Sequence, residues 1–163
     1  MLTLKDSKEI TMELITGEIR KFVEQQKLAY VATICPDGTP NLSPKGTIRV
    51  WDGDHVFFAD IHSPGTVENL KVNPAIEINV VDIFTRKGYR LKGRADVLSG
   101  GSLYEQIMAT YGEAAKKYKI NNIVVVTVER VLPVWSPAYD DGTTEEEIVD
   151  KWAKYWGEMY PAK

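Results

Sequence analysis

Two short segments carry residues that can do chemistry: Ser43-Pro44-Lys45-Gly46-Thr47-Ile48 and Asp60-Ile61-His62-Ser63-Pro64-Gly65-Thr66. The first lies inside a stretch that otherwise reads as a strand. Pro and Gly both weaken a central strand, so this segment belongs at an edge, or where another group approaches the backbone closely. Standing alone it reads most simply as a bulge with an exposed lysine. The second segment runs into a short helix. Free N–H groups beside the Ser63 and Thr66 hydroxyls make a phosphate seat there, although a plain helix cap uses the same residues. Together the two say more. If the strands around Asp52-Gly53 pair, Lys45 comes within reach of that loop, and a cation facing a helix start suits a phosphorylated ligand.

Other chemistries are excluded by counting. No G-x-G-x-x-G follows a strand, and Lys45-Gly46-Thr47 lacks the upstream glycine of a P-loop. His55 and His62 are the only histidines, which rules out a histidine-rich metal site, and no metal is expected. Cys35 has no basic neighbour in sequence and reads as a bystander. Trp135 follows Pro133-Val134 and reads first as packing. No side chain presents itself as a catalytic acid, base or nucleophile.

These segments need a scaffold. Thr11 can cap an N-terminal helix over about 11–27, with Leu14, Ile15, Ile19, Phe22 and Val23 on one face. Strands follow at Leu28 to Ile34, about Leu42 to Trp51, His55 to Asp60, Ala75 to Asp82, Tyr89 to Leu98 and Ile123 to Trp135. Val67 to Leu70 forms a short helix, Ser102 to Lys119 a longer one, and Thr144 opens a terminal helix over about 144–158. Six strands joined mostly by tight turns point to an antiparallel barrel with flanking helices, in a single domain over residues 1–163.

Composition bounds the function. With 20 basic against 23 acidic residues, the chain has no global positive field to recruit nucleic acid. No apolar run is long enough for a membrane helix, the first residues lack the apolar core of a signal peptide, and the lone cysteine forms no internal disulfide. A cytoplasmic location is expected, with no membrane and no nucleic acid as partner.

The run Thr33-Ile34-Cys35-Pro36-Asp37-Gly38-Thr39-Pro40, continuing through Asn41-Leu42-Ser43-Pro44-Lys45-Gly46, resembles the opening hairpin of the pyridoxamine 5′-phosphate oxidase-like flavoproteins. So do Val56 to Asp60, Thr66 to Leu70, Asn73-Pro74-Ala75 and Tyr89 to Ala95, in that order, with a looser echo at Val131 to Trp135. The resemblance implies a split β-barrel that dimerises, with FMN in clefts at the interface. By position, Ser43, Pro44, Lys45, Gly46, Thr47 and Ile48 would line the flavin, with Lys45 reaching the phosphate. Phe58, Ala59 and Asp60 would run along the isoalloxazine or ribityl chain. Ser63, Gly65 and Thr66 would hold the phosphate, and Trp135 would touch the flavin of the other subunit.

Two departures qualify this. Oxidases of the family carry an Arg-Lys pair where this chain has Pro64-Gly65, and an Arg-x-His element after the tryptophan, where this chain reads Ser136 to Gly142 without either residue. The first implies a phosphate seat built on backbone N–H groups, hydroxyls and Lys45; the second argues against oxidation of vitamin B6. The resemblance therefore implies a homodimeric FMN oxidoreductase or electron carrier with a small-molecule or protein redox partner. The alternative is a binding, storage or sensing protein for FMN, haem or a similar planar cofactor, with His55 and His62 as the histidine candidates for a haem iron.

Overall fold

The computed structural model describes residues 13–161. Helix α1 (Gly17–Gln26) leads into β1 (Ala29–Ile34), β2 (Pro40–Lys45), β3 (Arg49–Val50) and β4 (His55–Asp60). Helix α2 (Pro64–Val72) precedes β5 (Ala75–Val81) and β6 (Lys87–Leu98). Helices α3 (Ser102–Tyr111) and α4 (Glu113–Lys117), the long β7 (Asn122–Trp135), a 3-10 turn (Pro137–Tyr139) and α5 (Glu145–Met159) complete the chain. The strands form one antiparallel, curled sheet in the order β2-β1-β5-β6-β7-β4-β3. This is the expected split-barrel architecture.

Seven strands replace the expected six because the stretch from Leu42 to Trp51 breaks. β2 pairs with β1 and β3 with β4, so the two pieces occupy opposite edges of the sheet. Gly46-Thr47-Ile48 is the three-residue link between those edges, the seam of the curled sheet. Pro44 still pairs with Tyr30 on this edge strand, and ladder pairing ends after Lys45, where Gly46 follows.

Two apolar clusters hold the sheet. Inside the curl, Val31, Ile78, Leu91, Val124, Val126 and Phe58 pack under Ile19 and Val23 of α1. Behind β4 and β7, Phe57, Ala59, Ile123 and Val125 pack on Ile107 and Tyr111 of α3. Because β4 and the first half of β7 are covered on both faces, they read as continuous apolar runs rather than alternating ones. A register shift at Lys92/Gly93 bends β6 against β7. A Cβ on Gly93 would stand 2.0 Å from the Thr127 carbonyl oxygen, so only glycine fits.

The helix ends differ from expectation in two places. Thr11 lies outside the described residues; the helix is capped instead by Thr16, whose hydroxyl accepts the Ile19 N–H at 3.4 Å. Ile15 precedes it and ties its N–H to the Gly53 carbonyl at 2.8 Å. The expected helix from Ser102 to Lys119 is split at Gly112, whose φ of +52° ends α3. The terminal helix begins as expected, at a capping box of Thr144 and Glu147.

Candidate functional site

Lys45 ends β2 and is 4% exposed, which overturns the reading of an exposed lysine on a bulge. Its ammonium donates to the Ser43 hydroxyl and, at 3.3 Å, to the Pro44 carbonyl, and lies 5.8 Å from the centre of the Phe58 ring. Burial pushes the ammonium below its ordinary pKa, and the Asp60 charge partly opposes the shift. Among the described residues no carboxylate lies within ion-pair distance of it. A buried cation held by neutral partners is short of negative charge.

Asp60 supplies structure rather than a counter-ion. One carboxylate oxygen accepts the Ser63 N–H at 2.9 Å and the other accepts the Asn122 side-chain amide at 2.9 Å. Its carbonyl accepts the Asn121 N–H at 2.8 Å. These bonds fix the loop that enters α2. Ser63 occupies the N-cap position, but its side chain makes no capping bond. The first helical bond runs from the Val67 N–H to the Ser63 carbonyl at 3.2 Å. The Gly65 and Thr66 N–H groups therefore precede the internal ladder and head the helix, and no acidic side chain occupies the first turn. Thr66 is buried, while a Cβ on Gly65 would meet nothing within 4 Å.

The seam is clamped from both sides. The Thr47 hydroxyl accepts the Ala59 N–H at 3.0 Å, and the Thr47 carbonyl accepts the Tyr111 hydroxyl at 2.9 Å. Burial raises the Tyr111 phenol to about 12, so it stays a donor. The Thr47 side chain is thus engaged within the fold, and what segment 46–48 can offer a ligand is backbone. Phe58 is fully enclosed and Ala59 is covered by α3.

Trp135 stands apart. Asp60 pairs with Asn122 at one end of β7, and Trp135 pairs with Lys87 at the other. Thirteen steps of strand separate Asn122 from Trp135, roughly 40 Å along the backbone at strand rise. Trp135 is 54% exposed and donates its ring N–H to Asp140 at 3.4 Å. It lines a cleft of about 550 Å³ with Phe22, Tyr89, Tyr139, Lys87 and Glu145. The structure brings the remaining candidates around the seam, the end of β4 and the start of α2, and leaves Trp135 outside that group within one subunit.

Sequence reasoning missed Asn122 and the bond made by Tyr111. Tyr111 was legible only as part of an apolar helix face, and the two asparagines only as polar residues ahead of a valine run. His55 is tied to Asp52 at 2.7 Å, and His62 is exposed on the loop. Among the described residues no group of three or more His, Cys, Asp or Glu side chains could hold a metal, and no helix is long and apolar enough to cross a membrane.

The model of the pyridoxamine 5′-phosphate oxidase family matches residues 15–134. HupZ of Group A Streptococcus has a similar structure, with 31% identity, 75% of this chain and 95% of that chain covered, and a TM-score of 0.67. An FMN-binding protein of Syntrophomonas wolfei shares the fold at 17% identity, with 78% and 91% covered and a TM-score of 0.64. A tRNA dimethylallyltransferase of Nautilia profundicola is 26% identical over 151 residues. That match covers 88% of this chain and 52% of the relative, so the chain spans about half its length.

Proposed function

This chain belongs to the pyridoxamine 5′-phosphate oxidase family, and on that premise we propose that it is a homodimeric, cytoplasmic FMN-binding protein acting as a small oxidoreductase or electron carrier. The observation that carries the reading is the buried Lys45 ammonium without a carboxylate partner, held beside the same Asp60 that fixes the start of α2. A phosphate there would receive that cation and the N–H groups of Gly65 and Thr66, with the Ser63 and Thr66 hydroxyls alongside. The residues present fit the group.

FMN, once bound, supplies the redox chemistry; the chain's part is to seat and orient it. Backbone of Gly46, Thr47 and Ile48 would meet its polar edge, held in place by the Tyr111 and Ala59 bonds. Trp135 would complete the site only from a second copy, because β7 holds it at the far end of its own subunit. Pro64-Gly65 and Ser136 to Gly142 replace the charged elements of the B6 oxidases, so the substrate is expected to be other than vitamin B6. The expected redox partner is a small molecule or a protein.

The test is the visible spectrum of the purified chain before and after FMN addition and desalting, read with gel filtration. One retained flavin per chain in a dimer supports the proposal. A haem spectrum, or no retained chromophore, overturns it. Lys45→Ala and Thr66→Val should each weaken FMN binding by about 1–3 kcal/mol, and unchanged affinity in both would move the phosphate elsewhere.

A further inference from the structure

We infer a binding site for a small organic ammonium ion with an apolar body, in the cleft of about 550 Å³ between α1, the β5–β6 turn, the end of β7 and the start of α5. The volume is that of an ordinary small-molecule pocket, and four of its walls are aromatic: Phe22, Tyr89, Trp135 and Tyr139. The cleft already holds one cation of its own. The Lys87 ammonium lies 4.5 Å from the centre of the Tyr139 ring and donates to Glu145 at 2.5 Å. An ammonium set between a ring face and a carboxylate is the arrangement by which aromatic sites recognise cations. The other half of the cleft has the same parts without the cation. Among the described residues no Lys or Arg lies over the Phe22, Tyr89 or Trp135 ring.

The charge balance favours a cation. Glu18, Asp82 and Glu145 line the cleft against the single ammonium of Lys87. Lys87 pairs with Glu145, and among the described residues neither Glu18 nor Asp82 has a basic group within ion-pair distance. Neutral donors hold both: Glu18 accepts the Tyr89 hydroxyl at 3.3 Å, and Asp82 accepts the Phe84 N–H at 2.8 Å. These bonds position the carboxylates and leave their charge in place, so an anionic ligand would meet repulsion. Phe22 and Tyr89 meet edge to face with ring centres 5.2 Å apart, and the half-exposed Trp135 indole is the side chain best suited to carry a cation on its face. Trp135, Tyr139 and Glu145 lie beyond residue 134, where the family match ends. That wall comes from this chain's own C-terminal segment. The site goes beyond the flavin reading, because its walls are complete within one chain. In the proposed dimer the bound cation would stand beside the flavin that Trp135 meets, as its substrate, and that last step alone rests on the flavin reading.

The experiment is a residue-resolved NMR titration of the full chain, as purified, with benzyltrimethylammonium chloride and, separately, with benzyl alcohol and sodium benzoate, at constant ionic strength set by sodium chloride. Saturable shifts of the Trp135 indole N–H and the Gly88 amide are expected with the ammonium probe, and none with the other two over the same concentrations. Glu18→Gln, which keeps an acceptor for Tyr89, should weaken binding about threefold. Trp135→Leu should weaken it roughly fivefold, and Trp135→Phe should recover part of the loss. Lys87→Met, which takes the resident cation out of the cleft, should tighten it. Each variant is checked for a melting temperature close to the parent's. Equal shifts with benzyl alcohol would leave an apolar cleft only, tighter binding of benzoate would reverse the charge, and Glu18→Gln titrating like the parent would remove the carboxylate; each overturns the inference. The visible spectrum of the same sample reports the flavin. A chain that takes the ammonium probe and no FMN keeps this inference and loses the flavin reading, and the opposite result does the reverse.

Discussion

The two ends of β7 do opposite things. Ile123 to Val126 are buried on both faces, between the interior of the curl and α3; at that end Asp60 is buried with its carboxylate paired to the half-buried Asn122, and Lys45 is buried near Phe58 of the neighbouring β4. Leu132 to Trp135 are half-buried to exposed and line an open cleft of aromatic side chains. A site at the first end is made rigid by packing and asks only for charge. A site at the second end has surface to spare and asks for another surface. One strand thus has an enclosed end and an open end, and in the proposed dimer the open end of one copy would meet the enclosed end of the other.

The largest expected effect lies at the bend between the two ends. Gly93→Ala puts a Cβ against the Thr127 carbonyl and should cost about 3–5 kcal/mol of stability in urea denaturation; a loss under about 1 kcal/mol would show that the bend is soft. Next comes truncation at each end. Phe58→Ala at the enclosed end should cost about 3–5 kcal/mol, whereas Trp135→Ala should stay within about 1 kcal/mol in folding yet reduce FMN retention. Equal stability losses would erase the contrast.

Lys45→Met should separate folding from binding. Removing a buried cation that lacks a carboxylate should leave stability unchanged or raise it by about 1 kcal/mol, while FMN affinity falls about tenfold or more. Loss of both would make Lys45 a structural residue. The smallest effect is in pH. The folded-state pKa of Lys45 lies below the ordinary 10.5, so between the two values the unfolded chain binds more protons and stability rises with pH. A bound phosphate raises that pKa again, so FMN affinity should be full below the free protein's value and decline as pH passes through it. The decline should be missing from Lys45→Met; an identical profile in the two would remove Lys45 from the seat.

Much of this was legible in the chain. The turn residues Asp37-Gly38 and Asp52-Gly53, the β-branched runs and the Thr144/Glu147 box mark their elements through local backbone preference, and the order of motifs identifies the family. The weakness of Ser43 to Ile48 as a strand was also legible. Its role as the seam was not, since that depends on which edges β2 and β3 pair with, and pairing is non-local. Thr16 displaced Thr11 as a cap because Ile15 is held to the Gly53 loop, a contact no local window contains.

By itself the sequence determined the element types, the split-barrel class, the family and the short list of candidate residues, because periodicity, turn chemistry and motif order are local properties. Only the tertiary structure decided that Lys45 is buried rather than exposed, that Asp60 and the Thr47 hydroxyl are engaged inside the fold, and that Trp135 stands at the far end from the residues it would join. Burial and partnership arise when distant segments meet, and the curl of the sheet sets those meetings.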